Sequence, residues 1–227
     1  MLTQEEIKKE LGKYAADLIP GNATIGLGSG STIFWLIEEL AKRKQQGLSV
    51  AIVPTSTQTK GLAEKAGIVT VNLNDVDSLP LTVDGADEID KQFQLIKGGG
   101  GALLQEKMVA SVSEQLIIIA DESKYVSQLG RFPLPVEVIP GGWKQVHKKI
   151  MALGCKNVEL RTVQKQAFIT DNGHYILDCY FGEIEDADAL NISLHLIPGL
   201  VETGLFINMT HAVVIGYADG NIEMKVK

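Results

Sequence analysis

The sequence is short of cysteine, of long apolar runs and of basic charge, and each shortage removes a class of function. Only two cysteines occur, Cys155 and Cys179. Neither belongs to a CxxC pair or has a histidine nearby, which disfavours a disulfide scaffold or a zinc site and leaves reduced core packing as their role. His147, His174, His195 and His211 stand singly, never at HxxxH or HExxH spacing, so no protein-bound catalytic metal is expected. No uninterrupted apolar stretch would span a bilayer, and the opening MLTQEEIKKELGKYAAD has the periodicity of a helix, unlike a signal peptide. The expectation is a cytoplasmic protein with no membrane partner. With 21 basic against 28 acidic residues the net charge is −7. A surface of that sign repels phosphate backbones, so nucleic acid is not an expected partner, and a small anionic substrate would need a local basic pocket.

What remains is ordinary globular composition, 45 % apolar and 22 % charged over 227 residues, enough for one α/β domain carrying a smaller second one. The first half alternates short β-branched runs with amphipathic stretches. Strands are expected at Thr24–Leu27, Val50–Val53, Leu81–Val83 and Leu116–Ala120, and helices at Ile33–Lys44, Gln58–Ala66 and Leu103–Gln115. That alternation is the pattern of a parallel sheet wrapped by helices. The proline-rich FPLPVEVIPGG interrupts it, placing a boundary near Gly130. Beyond it the order reads helix (Lys144–Leu153), strands (Val158–Arg161 and Ala167–Thr170), a turn at Asp171–Gly173, strand (Tyr175–Tyr180) and helix (Asp186–Leu194), a small split α+β unit. The expected division is residues 1–129 plus 208–227 as the main domain and 130–207 as the small one. No internal repeat or low-complexity tract is present.

In an open parallel sheet ligands bind beyond the carboxyl ends of the strands, so the polar loops there come first. GLGSGST, Gly26–Thr32, joins an apolar strand to a helix and offers small residues, hydroxyls and a helix N-terminus to a phosphate. A plain turn with a Ser or Thr N-cap remains open. A dinucleotide fingerprint is disfavoured, because GxGxxG needs glycine where Ser31 stands and no acidic residue closes the second strand. VDGADEID, Val83–Asp90, crowds Asp84, Asp87, Glu88 and Asp90 together, which metal, lysine or solvent must relieve, and Lys97 is near in sequence. KGGGGALLQEK, Lys97–Lys107, spends four glycines in a row, more easily explained by backbone approach to a ligand than by stability. On the helix that follows, Leu104, Met108 and Val112 form the expected buried stripe, and Glu106 lies far around the helix from them, where solvent exposure, the common state of a helical glutamate, stands open beside a place in the ligand crevice. ADESKY, Ala120–Tyr125, brings Lys124 to the end of another strand.

In order and spacing, GSGST, VDGADEID, KGGGGALLQEK, ADESK, GRFPLPVEVIP, TDNGHYILD and IPGLVETGLF resemble the motifs of type A ribose-5-phosphate isomerase nearly end to end. The resemblance implies a Rossmann-like main domain with a ferredoxin-like α+β domain inserted, and interconversion of ribose 5-phosphate and ribulose 5-phosphate in the pentose phosphate pathway. It implies no cofactor, a sugar phosphate as the small-molecule partner, and a homodimer or homotetramer. By motif, Glu106 matches the general base, and Asp84, Asp87 and Lys97 the polar catalytic cluster. Ser29, Gly30, Ser31, Thr32 and Lys124 match substrate-binding positions, as do Gly85, Ala86, Gly98, Gly99 and Gly100 within the same motifs. Lys8 matches a further phosphate contact, with Lys9 competing for the register. Ser29 stands where threonine is common in the family and keeps the hydroxyl. Two rivals share related folds: a sugar-phosphate-sensing regulator, which would shift duplex DNA on a gel, and a coenzyme A transferase, which would form a glutamyl thioester.

Overall fold

Short aliphatic runs spaced by amphipathic stretches form, in the computed structural model, which describes all residues from Met1 to Lys227, a central sheet of seven strands. Its order is Ile222–Val226, Ala212–Gly216, Leu116–Asp121, Thr82–Asp84, Ala23–Leu27, Val50–Pro54 and Val69–Thr70. Neighbours pair in parallel except Ile222–Val226, which returns antiparallel after a turn closed by Tyr217 N–H on the Asn221 carbonyl (2.9 Å). Leu116–Asp121 and Ala212–Gly216 are buried along their whole length, as strands covered on both faces must be.

The helix Gln4–Asp17 opens on a capping box in which Glu6 N–H donates to Thr3 Oγ1 (3.3 Å) and Thr3 N–H to Glu6 Oε2 (2.8 Å). Its buried Ile7, Leu11 and Ala15 repeat at four-residue spacing and join Ile33, Leu36, Ile37 and Leu40 of the helix Ser31–Gln45 in one apolar cluster. Gly12 lets these helices touch, since a Cβ there would fall 2.7 Å from the Trp35 carbonyl carbon. A second cluster of Val53, Leu79 and Val109 anchors the helix Leu103–Ser111. This unit, Met1–Ala86, Gln105–Tyr125 and Met209–Lys227, is Rossmann-like.

The other unit comprises Asp87–Leu104 and Val126–Asn208. Its main elements are strand Leu134–Val138, helix Trp143–Ala152, strands Asn157–Leu160 and Tyr175–Tyr180, helix Ala187–His195 and strand Leu200–Thr203. In the sheet the fourth strand lies beside the first, then come the third and second, all antiparallel, which is the ferredoxin-like arrangement. Val146, Ile150 and Leu194 of the helices pack with Val136, Val138, Leu177 and Cys179 of the sheet. No helix of the protein is long and apolar enough to cross a membrane.

Several sequence expectations change. FPLPVEVIP is not a break but contains the first strand of the second unit. Pro135 is tolerated there because the ladder to Leu200–Thr203 ends at Val136 opposite Thr203, so no partner needs the missing N–H; the Pro135 carbonyl still accepts from Gly204 N–H at 2.7 Å. The strand expected over Ala167–Thr170 shrinks to Gln166–Ala167, paired with Thr162–Val163 across Gln164 and Lys165 at φ of 51° and 65°. The helix expected to reach Gln115 stops at Ser111, because Leu79 N–H bonds the Val112 carbonyl (2.9 Å) and Glu114 N–H the Leu79 carbonyl (2.8 Å), drawing the chain into extended pairing. Asp87–Leu104, which the sequence reading kept with the main domain, groups with the second unit through pairing of Leu95–Ile96 with Glu88–Ile89 and Leu205–Phe206.

Candidate active site

In the first unit the strand Ala23–Leu27 runs into Gly28-Ser29-Gly30 and then the Ser31–Gln45 helix. Gly30, at φ 100°, is the N-cap, so no side chain caps this helix end and its first turn carries no acid. The expected alternative of a Ser or Thr cap is therefore not what forms. Ser31 is exposed and Thr32 half-buried at the loop's mouth. Ser29 Oγ instead turns toward a hydroxyl cluster, 2.8 Å from Thr55 Oγ1, 2.8 Å from Ser56 Oγ and 3.2 Å from Thr59 Oγ1. Thr59 Oγ1 in turn donates to the Gly28 carbonyl at 2.8 Å. This network fixes the loop and leaves backbone N–H groups, with their positive potential, as what it presents to an anion.

Asp84 closes the strand Thr82–Asp84 and is 1 % exposed. Its Oδ1 accepts from Ser29 N–H (3.2 Å) and Gly85 N–H (2.7 Å), tying the two loops together. Each of the four carboxylates read as crowded in VDGADEID accepts from backbone N–H groups. Within the second unit, Asp87 Oδ2 accepts from Gly99 N–H (2.7 Å), and Glu88 accepts from Gly130 N–H (2.7 Å) and Phe132 N–H (2.6 Å). Asp90 Oδ1 accepts from Gln92 N–H (2.9 Å) and Gln94 N–H (2.8 Å). Gly85 and Ala86 are half-buried between these groups in sequence.

Lys97 follows the strand Leu95–Ile96, is only 3 % exposed, and holds its Nζ 5.4 Å from the Phe206 ring centroid. The glycine tract after it is explained residue by residue. A Cβ on Gly98 would meet Leu103 Cδ2 at 2.9 Å, on Gly99 the Asp87 carboxylate at 2.6 Å, and on Gly101 the Phe168 ring at 2.5 Å. Gly100 differs, because a Cβ there would meet nothing within 4 Å and its φ is not positive. Nothing in the protein demands glycine at that position.

Back in the first unit, Glu106 lies on the buried side of its helix. It is 5 % exposed, with Leu103, Val109 and Ala110 buried around it, whereas Met108 of the expected stripe is 43 % exposed. The inward face is Leu103, Glu106, Ala110, so a glutamate occupies a core-facing position. Lys124 is half-buried in a turn after Leu116–Asp121. Asp121 caps that turn, accepting from Ser123 N–H (3.1 Å) and Ser123 Oγ (2.5 Å). Lys8 is half-buried, and no hydrogen bond or ion pair joins it to Gly28–Thr32; Lys9 is exposed, with Nζ 5.6 Å from the Trp35 ring centroid.

The chain as a whole matches known proteins closely. The sequence profile of ribose 5-phosphate isomerase A (phosphoriboisomerase A) matches residues 51–220. The chain belongs to the ribose 5-phosphate isomerase A family. The ribose-5-phosphate isomerase A of Bacillus mycoides is 52 % identical over 94 % of this chain and 97 % of its own. One of Oceanobacillus iheyensis, ribose-5-phosphate isomerase A 1, is 45 % identical over 99 % and 100 %. Among solved structures, a D-ribose-5-phosphate isomerase in complex with phospho-erythronic acid superposes with a TM-score of 0.95, at 37 % identity over 100 % of both chains. The ribose 5-phosphate isomerase of Plasmodium falciparum gives a TM-score of 0.95 at 37 % identity over 98 % and 99 %. As a member of the ribose 5-phosphate isomerase A family, the chain is an aldose–ketose isomerase that interconverts D-ribose 5-phosphate and D-ribulose 5-phosphate, a step of the pentose phosphate pathway.

Sequence reasoning missed the hydroxyl cluster of Thr55, Ser56 and Thr59. Its signal was the polar run TSTQT directly after the second strand, which had been read only for the acid it lacks. Asp121 was passed over although it is the last residue of an apolar strand. Arg161, bonded to the glycine tract, and Asp178, bonded to Arg161, carry no local signal at all.

Proposed function

We propose that Glu106 is the base that carries the carbon-bound proton between C2 and C1 of an open-chain pentose phosphate, through a cis-enediolate. Aldose–ketose exchange needs a base over carbon, a donor for the charge growing on the carbonyl oxygen, and help in opening the sugar ring. In this reading Lys97 and the N–H groups of Gly98 and Gly100 meet the oxyanion. The Gly99 N–H is engaged by Asp87. Asp84 and Asp87 assist ring opening and proton transfer between oxygens. The Gly28–Thr32 loop, through Ser29, Gly30, Ser31 and Thr32, holds the 5-phosphate together with Lys124 and Lys8, so that remote binding energy orients C1 and C2.

One observation carries the proposal: Glu106 is buried on its helix where an ordinary helical glutamate would face water. Gly100 supports it, since nothing in the protein itself needs glycine there while close approach of a ligand to the backbone would. A four-carbon sugar acid phosphate, such as the phospho-erythronic acid bound by the solved relative, has a planar, negatively charged carboxylate where an enediolate has its planar C2 with O2 and C1 attached. The same reading places the protein in the cytoplasm as a homodimer or homotetramer, which sedimentation at graded concentrations would measure. The deciding experiment is proton NMR of ribose 5-phosphate with pure protein in heavy water. Ketose signals with deuterium entering at C1 or C2 are expected. Isomerisation that admits no deuterium and proceeds as fast in Glu106→Gln would remove Glu106 from its role.

A further inference from the structure

Arg161 follows the strand Asn157–Leu160 and its side chain is 14 % exposed. Nη2 donates to Asp178 Oδ1 at 2.5 Å and Nε to Asp178 Oδ2 at 3.0 Å, a two-pronged pair that fixes the plane of the guanidinium. The remaining amino group, Nη1, donates to two successive backbone oxygens of the glycine tract, Gly98 O at 2.8 Å and Gly99 O at 3.1 Å. The guanidinium carbon also lies 5.9 Å from the centroid of Phe168, the ring that abuts Gly101.

In a trans peptide the carbonyl of one residue and the N–H of the next point in opposite directions. With the Gly98 carbonyl drawn to Arg161, the Gly99 N–H is thrown to the other side, where it bonds Asp87 Oδ2 at 2.7 Å. With the Gly99 carbonyl drawn to the same group, the Gly100 N–H is likewise turned away from Arg161. Successive glycines have more backbone freedom than any other sequence; the 98–99 plane is held also by Gly101 N–H on the Gly98 carbonyl (3.0 Å), whereas on the Gly99 carbonyl the restraint is Arg161, so the 99–100 plane is the one that depends on it most.

We infer that Arg161 is a positioning residue: it orients the 98–99 and 99–100 peptide planes, so that the Gly99 N–H holds Asp87 and the Gly100 N–H faces the substrate oxyanion. The inference rests on the roles proposed for Asp87 and the glycine tract. Asp178 serves it by locking the arginine, and lysine cannot replace it, having no fork to serve a carboxylate and two carbonyls together.

The test is steady-state kinetics of Arg161→Lys, Arg161→Ala and Asp87→Asn, and of Arg161→Ala combined with Asp87→Asn, alongside thermal unfolding. We expect kcat of both arginine variants to fall about 10- to 100-fold with little change in KM or unfolding temperature, because geometry is lost while phosphate binding is kept. Methylguanidinium should return part of the lost kcat to Arg161→Ala and do nothing to the unsubstituted enzyme. In the Asp87→Asn background the further loss from Arg161→Ala should shrink, since both act through one amide. A folded Arg161→Ala enzyme with normal kcat, beside an impaired Asp87→Asn, overturns the inference alone; a normal Asp87→Asn enzyme overturns the underlying roles as well. A kcat loss accounted for by unfolded protein, with no rescue by methylguanidinium, also overturns it. If Arg161→Ala fails to fold, adding Asp178→Asn removes the stranded carboxylate and the same kinetics apply.

Discussion

The Asp84 carboxylate occupies the space that a side chain at residue 28 would need: a Cβ built on Gly28 falls 1.8 Å from Asp84 Oδ1. Gly28→Ala must therefore displace the carboxylate or the loop. We expect the variant to fold with a loss of about 1–3 kcal/mol, the usual cost of overpacking. Turnover should drop about 100-fold, the scale of an ångström of misplacement at a reacting group. Denaturant unfolding and kcat together check this, and a normal kcat would show that the position of Asp84 does not matter to the chemistry.

Glu106→Gln keeps the size and burial of the side chain and removes its basicity. Turnover should fall at least about 100-fold, the usual scale for a general base, while affinity for ribose 5-phosphate measured by calorimetry stays near its original value. Retained turnover would assign the proton to another group.

Lys124 depends on Asp121, whose carboxylate shapes the turn carrying it. Lys124→Ala should lower kcat/KM about 10- to 100-fold, the weight of a hydrogen bond to a charged partner. Asp121→Ala should shift kcat/KM in the same direction by a smaller factor, because the lysine remains but is no longer held. Equal kcat/KM in all three proteins would take Lys124 out of phosphate binding.

How far the sequence carried the argument differs from residue to residue. The parallel sheet was legible because buried strands such as Leu116–Asp121 are continuous apolar runs between amphipathic stretches. Leu134–Val138 was not, because proline normally argues against a strand, and only the point at which the neighbouring ladder stops makes Pro135 acceptable. Glu106 was found by its motif, yet its burial was left open, because the side of a helix that faces the core is set by tertiary packing when apolar residues lie all round it. Arg161 was invisible, since its partners Gly98, Gly99 and Asp178 are distant in sequence and two of them are engaged through main-chain atoms.

The cysteines supply a prediction in pH. Both are buried and unbridged; the Cys155 thiol donates to the Asn157 carbonyl (3.0 Å) and the Cys179 thiol to the Leu177 carbonyl (3.6 Å). The neighbouring Cys179 thiol holds the Cys155 thiol below its ordinary pKa, while burial pushes the Cys179 thiol well above it. Alkylation follows the thiolate. A small alkylating reagent should thus modify Cys155 first, with a pH midpoint below that of a free thiol, and Cys179→Ala should move that midpoint upward. Mass spectrometry of partially labelled protein reads the order; labelling of Cys179 first would contradict it.

Ala212–Gly216 lies beside Leu116–Asp121 in the seven-stranded sheet, although nearly the whole second unit separates them along the chain. A nascent polypeptide that has not yet reached residue 212 therefore carries Leu-Ile-Ile-Ile-Ala-Asp as a bare, sticky border with its hydrogen-bonding groups unanswered. Translation that pauses in the inserted unit lengthens that exposure, so slower synthesis through residues 126–208 should leave more chain in aggregates, which pulse-labelling of the insoluble fraction would measure.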